Sequence, residues 1–426
     1  MLRMGLDLKY PQITYGVVVL VIVFACATAA AANKTATPAK VEAEAKTPKP
    51  KPIERPSAEA IDKSIRCGVD FLLERQIRNG AWGSARRTKG LNVYAPVPGA
   101  HHAFRAAVTS LCLSALIESS DSRKEVAAAI DLGQKWLFSH LKAVRRAEPR
   151  AIYNNWAHAY SIQALIDLYD YHSADRLGKG PGKGDTLLLE DTKEHIRRQI
   201  DMLGRYECID GGWTYYDNVA FTQRPSGSSM CFVSATVLVA LKEAQRIDGV
   251  EVPKRLVERA KASIVRQRRP GFAYCYGEYL KNRPMVYVNR PGGSLGRSQA
   301  CNLAMYVWGD KKTTLDVMRI WLDRLYARNM WLDIARKRPI PHESWMKVAG
   351  YFYYYGHFYA ACCIDQLPLA ERPYFQGHLA HILLPLQEKD GSWWDFPLYD
   401  YHQQYGTAMA VMSLVRCRAA GAAGKK

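Results

Sequence analysis

The chain has 426 residues, 48% of them apolar, and a formal net charge of +19 at pH 7, so it can bury a large core. The basic excess is scattered rather than gathered into a block of Lys and Arg, which argues against nucleic acid as a partner. Ten cysteines occur without any Cys-x-x-Cys pair, which excludes a zinc ribbon, and the odd number beyond Cys26 argues against a disulfide framework.

In chain order, Arg3 and Lys9 precede an apolar run from Gly16 to Ala27, followed by Ala27-Thr28-Ala29 and Ala30-Ala31-Ala32. Residues 1–32 therefore read as a signal peptide or an N-terminal membrane anchor. Either places the folded part outside the cytoplasm, in the periplasm or cell envelope, with membrane proximity through the N-terminus. Residues 33–57 are rich in Pro, Ala and Lys and lack aromatics, so they are expected to form an extended linker. The globular region is expected over 58–418, with a disordered tail over 419–426.

From Ser57, a plausible helix cap, the spacing of Ile61, Ile65, Val69 and Leu72 predicts a helix that Gln76 closes. A short loop with Gly80 and Trp82 leads to a small-residue apolar helix around Ala106 to Leu116, so the unit is an αα-hairpin. The Gln-x-x-x-Gly-x-Trp interval of Gln76, Gly80 and Trp82 returns in Glu207, Gly211 and Trp213, in Gln267 and Gly271 (with Phe272 and Tyr274 flanking the third position), and in Gln387, Gly391 and Trp393. These marks fit a period of about 60 residues, with degenerate copies expected near 140 and 327. The first gap holds a helical stretch from Trp136 to Val144 and a helix opening at Asn154-Asn155-Trp156. The second holds Leu315 to Asn329 and a helix opening at Ser344 and running through Tyr355 to Asp365. Six hairpins with small-residue second helices predict an all-α fold, an α/α toroid of outer and inner rings.

These repeats resemble those of squalene-hopene cyclases and the wider group of terpene cyclases and protein prenyltransferase β-subunits. Asp390-Gly391-Ser392-Trp393 followed by Tyr405-Gly406-Thr407 is similar to the last cyclase repeat, and Gly211 to Asn218 is similar to the segment leading to the cyclase acid. The Asp-x-Asp-Asp acid that this family uses to protonate an alkene is missing, and no carboxylate stands between Val219 and Val233. Gly296-Arg297-Ser298-Gln299 resembles the diphosphate-holding segment of prenyltransferases, but their Asp-x-Cys zinc pair has no counterpart beside Cys301. Cys275-Tyr276-Gly277-Glu278 resembles the complement-type thioester motif, and Glu278 in place of glutamine excludes that chemistry. No cofactor and no metal are expected.

Polar and aromatic residues at the starts of the inner helices would converge on one mouth, where exposed helix N–H groups favour an anion. The catalytic candidates are His357, Tyr355, His402 and Asp217. The ligand-binding candidates are Arg297, Gln299, His158, Asn155, His102 and Tyr405. Three readings remain open. One is a protein handling an isoprenoid or other amphiphile, its anionic head near Arg297 and its tail near Tyr351 to Tyr355. Another is a non-catalytic envelope binding or scaffold protein. The last is a polysaccharide lyase or hydrolase, suggested by export and by Trp394, Asp395 and Asp400, for which paired carboxylates or Arg in a groove are the expected sign.

Overall fold

The computed structural model describes residues 47–88, 98–145, 154–173, 183–215, 226–283 and 285–418. The export signal or anchor over 1–32, the linker as far as residue 46, the tail and Asp217 lie outside these. Ser57 caps the first helix as its residue type suggests: its Oγ accepts the Ala60 N–H at 3.2 Å, and Ile61, Ile65, Val69 and Leu72 are buried along one face. Among the described residues, the helices are α1 (Ala58–Arg75), α2 (Pro98–Ser119), α3 (Lys124–His140), α4 (Asn154–Ser173), α5 (Lys183–Arg205), α6 (Cys231–Ala244), α7 (Lys254–Gln267), α8 (Leu295–Val307), α9 (Leu315–Ala327), a single turn α10 (Met330–Asp333), α11 (Phe352–Ile364), α12 (Arg372–Leu383) and α13 (His402–Val415). Among these residues no helix is long and apolar enough to cross a membrane.

The helices pair as six hairpins. The second members pack in the order α2, α4, α6, α8, α11 and α13, and α13 returns to α2, which closes the inner ring. Each outer helix lies on the inner helix of the preceding hairpin: α3 on α2, α5 on α4, α7 on α6, α9 on α8, α12 on α11 and α1 on α13. Sequence separates the two layers. Inner α6 is buried on all sides from Cys231 to Leu241, whereas outer α7 buries only the stripe of Leu256, Val257, Ala260, Ser263, Ile264 and Gln267. The expected α/α toroid is the observed architecture.

The repeat marks are staples between hairpins. Trp82, Trp213 and Trp393 are each fully buried. Their indole N–H groups donate to the carbonyls of Leu72, Leu203 and Leu383 at 2.7, 2.9 and 3.0 Å, ten residues back in every case. Their backbone N–H groups donate to an inner-helix hydroxyl, from Thr109, Ser234 and Thr407 respectively. Gln387 Nε2 reaches both Gly391 O and Ser64 O of α1 at 2.9 and 3.0 Å, so the last hairpin is bonded to the first. Gly391 has φ +85°, and a Cβ there would sit 2.4 Å from Cys67 O, which leaves room for glycine alone. Glu207 makes the corresponding link as an ion pair with Arg259 of α7 at 2.6 Å. In the weaker copies, buried Tyr274 takes the aromatic position after Gln267, and Trp321 of α9 donates to Gly271 O at 3.0 Å.

One expectation needs correcting. The helix expected to open at Ser344 begins at Phe352, because the Ser344 hydroxyl bonds both backbone groups of Val348 and holds a turn instead. The described end of the linker is docked: Lys49 pairs with buried Asp323 of α9, and Arg324 donates to the Thr47 hydroxyl at 3.3 Å.

Candidate active-site cleft

All connections from an outer to an inner helix emerge on one face of the ring, and they are long, running from 141–153 at the shortest to 268–294 at the longest. Connections from inner to outer helices emerge on the other face and are short, from 120–123 to 174–182. Long connections on a rigid scaffold are where sites are built.

On the long-connection face, between the starts of α2, α4, α11 and α13, lies a cleft of about 60 Å³. Its walls are Phe104, Trp156, Tyr160, Tyr351, Phe396, Leu398 and Tyr405, with His402 and Asp395 as the ionisable groups. The aromatic rings brace one another edge to face: Tyr351 and Phe396 meet at 5.3 Å and 86°, and Trp394 stands against His402 at 5.3 Å and 90°. A triangle of phenols anchors Tyr351 from behind, with Tyr215 and Tyr276 hydroxyls 2.8 Å apart and 3.2 and 3.1 Å from the Tyr351 hydroxyl.

Asp395 owes its place to the last staple. Trp393, two residues earlier, is locked by its two hydrogen bonds, and Asp395 Oδ2 accepts the Tyr354 N–H in the first turn of α11 at 3.0 Å. The residue is 1% exposed. Burial pushes the carboxyl up to about 7, outweighing the N–H groups of Tyr354, Asp395 and Phe396 and the nearby Arg336, which favour the ionised form. Near neutral pH the cleft therefore holds a carboxyl that carries a proton for much of the time. His402 donates Nδ1–H to the Tyr399 carbonyl at 2.6 Å, which fixes its ring and its tautomer.

Of the candidates named from sequence, His402 and Tyr405 line the cleft. Tyr405 donates its hydroxyl to Tyr351 O at 3.3 Å. The others that the structure describes are used elsewhere. Arg297 is 1% exposed, and its guanidinium donates to the carbonyls of Tyr274 (3.1 and 2.9 Å), Gly293 (2.7 Å) and Val288, which uses the fork that an anionic head group needs. Gln299 bonds Trp321 O of α9 at 2.9 Å and His158 bonds Gln199 of α5 at 2.7 Å, both toward the outer ring, and Asn155 bonds Thr214 O of the α5–α6 connection at 2.9 Å. His357 lies between Tyr353 O and Asn329 Oδ1 at 2.7 and 2.9 Å, and burial pulls its imidazole down to about 4. Tyr355 donates to Phe232 O at 3.0 Å inside the inner ring. His102 is exposed. The starts of buried inner helices face two ways, toward the axis and toward the outer ring, and helical register sends most of these polar groups outward.

The opposite end of the ring has a different character. A cavity of about 280 Å³ lies among the ends of α2, α4, α6, α11 and α13, lined by Glu118, Gln163, Asp167, Glu243, Arg246 and Arg416. Arg416 holds Glu118 in a two-pronged pair and reaches Asp365 at 3.1 Å, while Arg246 pairs with Asp170. Burial, aided by the charge of Glu118, raises the carboxyls of Asp167 and Glu243, the latter to about 7.

This ring of paired helices with its site at the mouth defines the protein as an α/α toroid. No protein-family model matches the sequence, and no curated protein is detectably similar to it. Solved structures of the same fold include an unsaturated glucuronyl hydrolase from Streptococcus agalactiae, at TM-score 0.50 and 11% identity over 86% of this chain and 94% of that one. They also include a family 76 α-mannanase from Bacteroides thetaiotaomicron, at 0.48 and 12% over 85% and 96%, and a D-mannose isomerase, at 0.49 and 12% over 84% and 97%. These are toroids other than terpene cyclases, and the likeness is one of fold. Of what the resemblance to terpene cyclases and prenyltransferases implies, the structure shows the α/α toroid architecture.

Proposed function

We propose that this protein is a hydrolase or lyase acting on a saccharide, with the aromatic cleft as its active site and Asp395 as its proton donor. The observation that carries the reading is a buried carboxyl, held protonated up to about 7, at the wall of an aromatic cleft on the long-connection face. A carboxyl with that property gives a proton to a leaving oxygen or to an electron-rich double bond near neutral pH, where general acids work best. Flat aromatic walls suit the C–H faces of sugar rings. Asp395 is the one carboxylate lining the cleft among the described residues, so the two-carboxylate arrangement of most glycosidases is not assembled there. A single acid is enough for the enol ether of an unsaturated uronide: the proton goes to carbon, water adds to the resulting oxocarbenium ion, and water returns a proton to the carboxylate. The fold shared with an unsaturated glucuronyl hydrolase supports including that substrate class.

The test is an assay of unsaturated uronides, manno-oligosaccharides and other glycans with the wild type and Asp395→Asn. Turnover that drops by about 100-fold or more in the variant supports the reading. The almost wholly apolar lining favours a second reading, an amphiphile carrier without catalysis. Absence of turnover on every glycan, together with saturable binding of an isoprenoid alcohol blocked by Tyr405→Ala, would establish that one instead.

A further inference from the structure

A second hollow, of about 300 Å³, lies on the outer rim between α3 and α5. Its position follows from connectivity: Lys142 and Arg145 come just after α3, and Arg205 ends α5, so it opens toward the same face as the cleft. Lys142, Arg145, Arg198 and Arg205 surround it, and none of the four has an ion pair among the described residues. Asp201 is the one carboxylate in the lining. The floor is apolar, built from Phe138, Leu141 and Val144. His195 covers the Phe138 ring at 4.4 Å and 38°.

Four like charges gathered without partners repel one another, and an anion seated among them relieves that repulsion. The same field already acts on His195: burial, then the charge of Arg198, lowers its pKa, against the opposing pull of Asp191 and Glu194. We propose that this hollow is a rim subsite for the carboxylate or sulfate groups of an acidic oligosaccharide, held by Lys142, Arg145, Arg198 and Arg205 over an apolar floor. The inference rests on the saccharide reading of the cleft and adds to it that the substrate is anionic. Nucleic acid fits less well, because the Phe138 ring is covered by His195, whose own side chain is only 14% exposed, and little ring face is left for a base to stack on.

The experiment measures binding of an oligogalacturonate, a sulfated oligosaccharide, a neutral oligosaccharide of equal length, inorganic phosphate and oligothymidylate to the full chain. The wild type is compared with Arg198→Ala/Arg205→Ala, whose two sites are exposed and tolerate truncation. The acidic oligosaccharides are expected to bind, with affinity falling about tenfold in the double variant and falling again as salt is raised. The imidazole of His195, followed by NMR, is expected to titrate at higher pH when either acidic oligosaccharide is bound; in the double variant, where loss of Arg198 already raises the midpoint of the free protein, adding the oligosaccharide is expected to move it no further. Equal affinity for the neutral oligosaccharide, an unchanged affinity in the double variant, or oligothymidylate or phosphate binding as tightly as the acidic sugars would each overturn the proposal. Asp395→Asn is expected to leave rim binding intact. Rim binding without any turnover would therefore count against the cleft reading alone, and turnover of neutral glycans without rim binding would count against the subsite alone.

Discussion

The two ends of the inner ring are made from the same six helices and share Leu111 as a wall, yet they are built for different tasks. At the mouth, aromatic rings enclose one proton-bearing carboxyl, and long connections supply Tyr351, Asp395, Phe396 and Leu398 of the wall. At the base, carboxylates and guanidinium groups neutralise one another across short turns: Glu118, Asp365 and Asp170 have arginine partners, and Asp167 and Glu243 keep protons to higher pH than usual. Both ends contain a carboxyl raised to about 7. A perturbed carboxyl alone therefore does not mark a site. The distinction comes from its setting: Asp395 has no arginine ion pair among the described residues and accepts the Tyr354 N–H beside an aromatic cleft, whereas Glu243 lines a cavity with Glu118, Arg246 and Arg416.

The largest expected effect breaks the mouth from behind. Trp393→Ala removes a fully buried indole and both of its hydrogen bonds, and is expected to lower stability by about 3 to 5 kcal/mol in denaturant melts while abolishing turnover, because Asp395 is placed by this residue. An unchanged melting transition would contradict the staple account. At the base, Arg416→Met leaves Glu118 and Asp365 without their partner, and a loss of about 2 kcal/mol is expected, with kcat within about twofold of wild type. A large drop in kcat there would erase the contrast between the two ends.

The repeat marks show how far sequence alone carries. Gln387, Gly391 and Trp393 revealed the hairpins because their roles are local and repeat at the same interval: a carbonyl ten residues back, a positive φ, a neighbouring helix end. The site was less legible. Arg297 and His158 sit at inner-helix starts as expected, but which way each points depends on register against the outer ring, and small-residue helices buried on all sides carry no polar stripe from which to read it. In the sequence Asp395 is marked only by its place beside Trp394 and near Asp400. Its raised pKa arises from packing by α11 and the cleft walls, residues far from it in the chain. Asp167 and Glu243 lie near the ends of α4 and α6, 76 positions apart in the chain, and only ring closure brings them into one cavity.

A smaller effect sharpens the comparison through pH. The folded protein retains a proton on Glu243 up to about 7, whereas the unfolded chain releases it at an ordinary carboxylate pKa, so this group's contribution to stability falls as pH rises between those two values. Glu243→Gln removes that loss. Its melting temperature is expected to exceed that of wild type by an amount that grows from about pH 5 to about pH 8, corresponding to a gain on the order of 1 kcal/mol at the upper end. A difference independent of pH would show that Glu243 is not the group involved. The smallest expected effect is at exposed His102, where His102→Ala is expected to change neither stability nor turnover measurably.

Because both ends hold a carboxyl near 7, the pH dependence of kcat/KM on the best substrate separates them most directly. Activity in the wild type is expected to decline as pH rises through about 7, the decline to persist in Glu243→Gln and Asp167→Asn, and the residual activity of Asp395→Asn to show no such limb. A limb that survives in Asp395→Asn, or that disappears in Glu243→Gln, would contradict the assignment of the proton donor to the aromatic mouth.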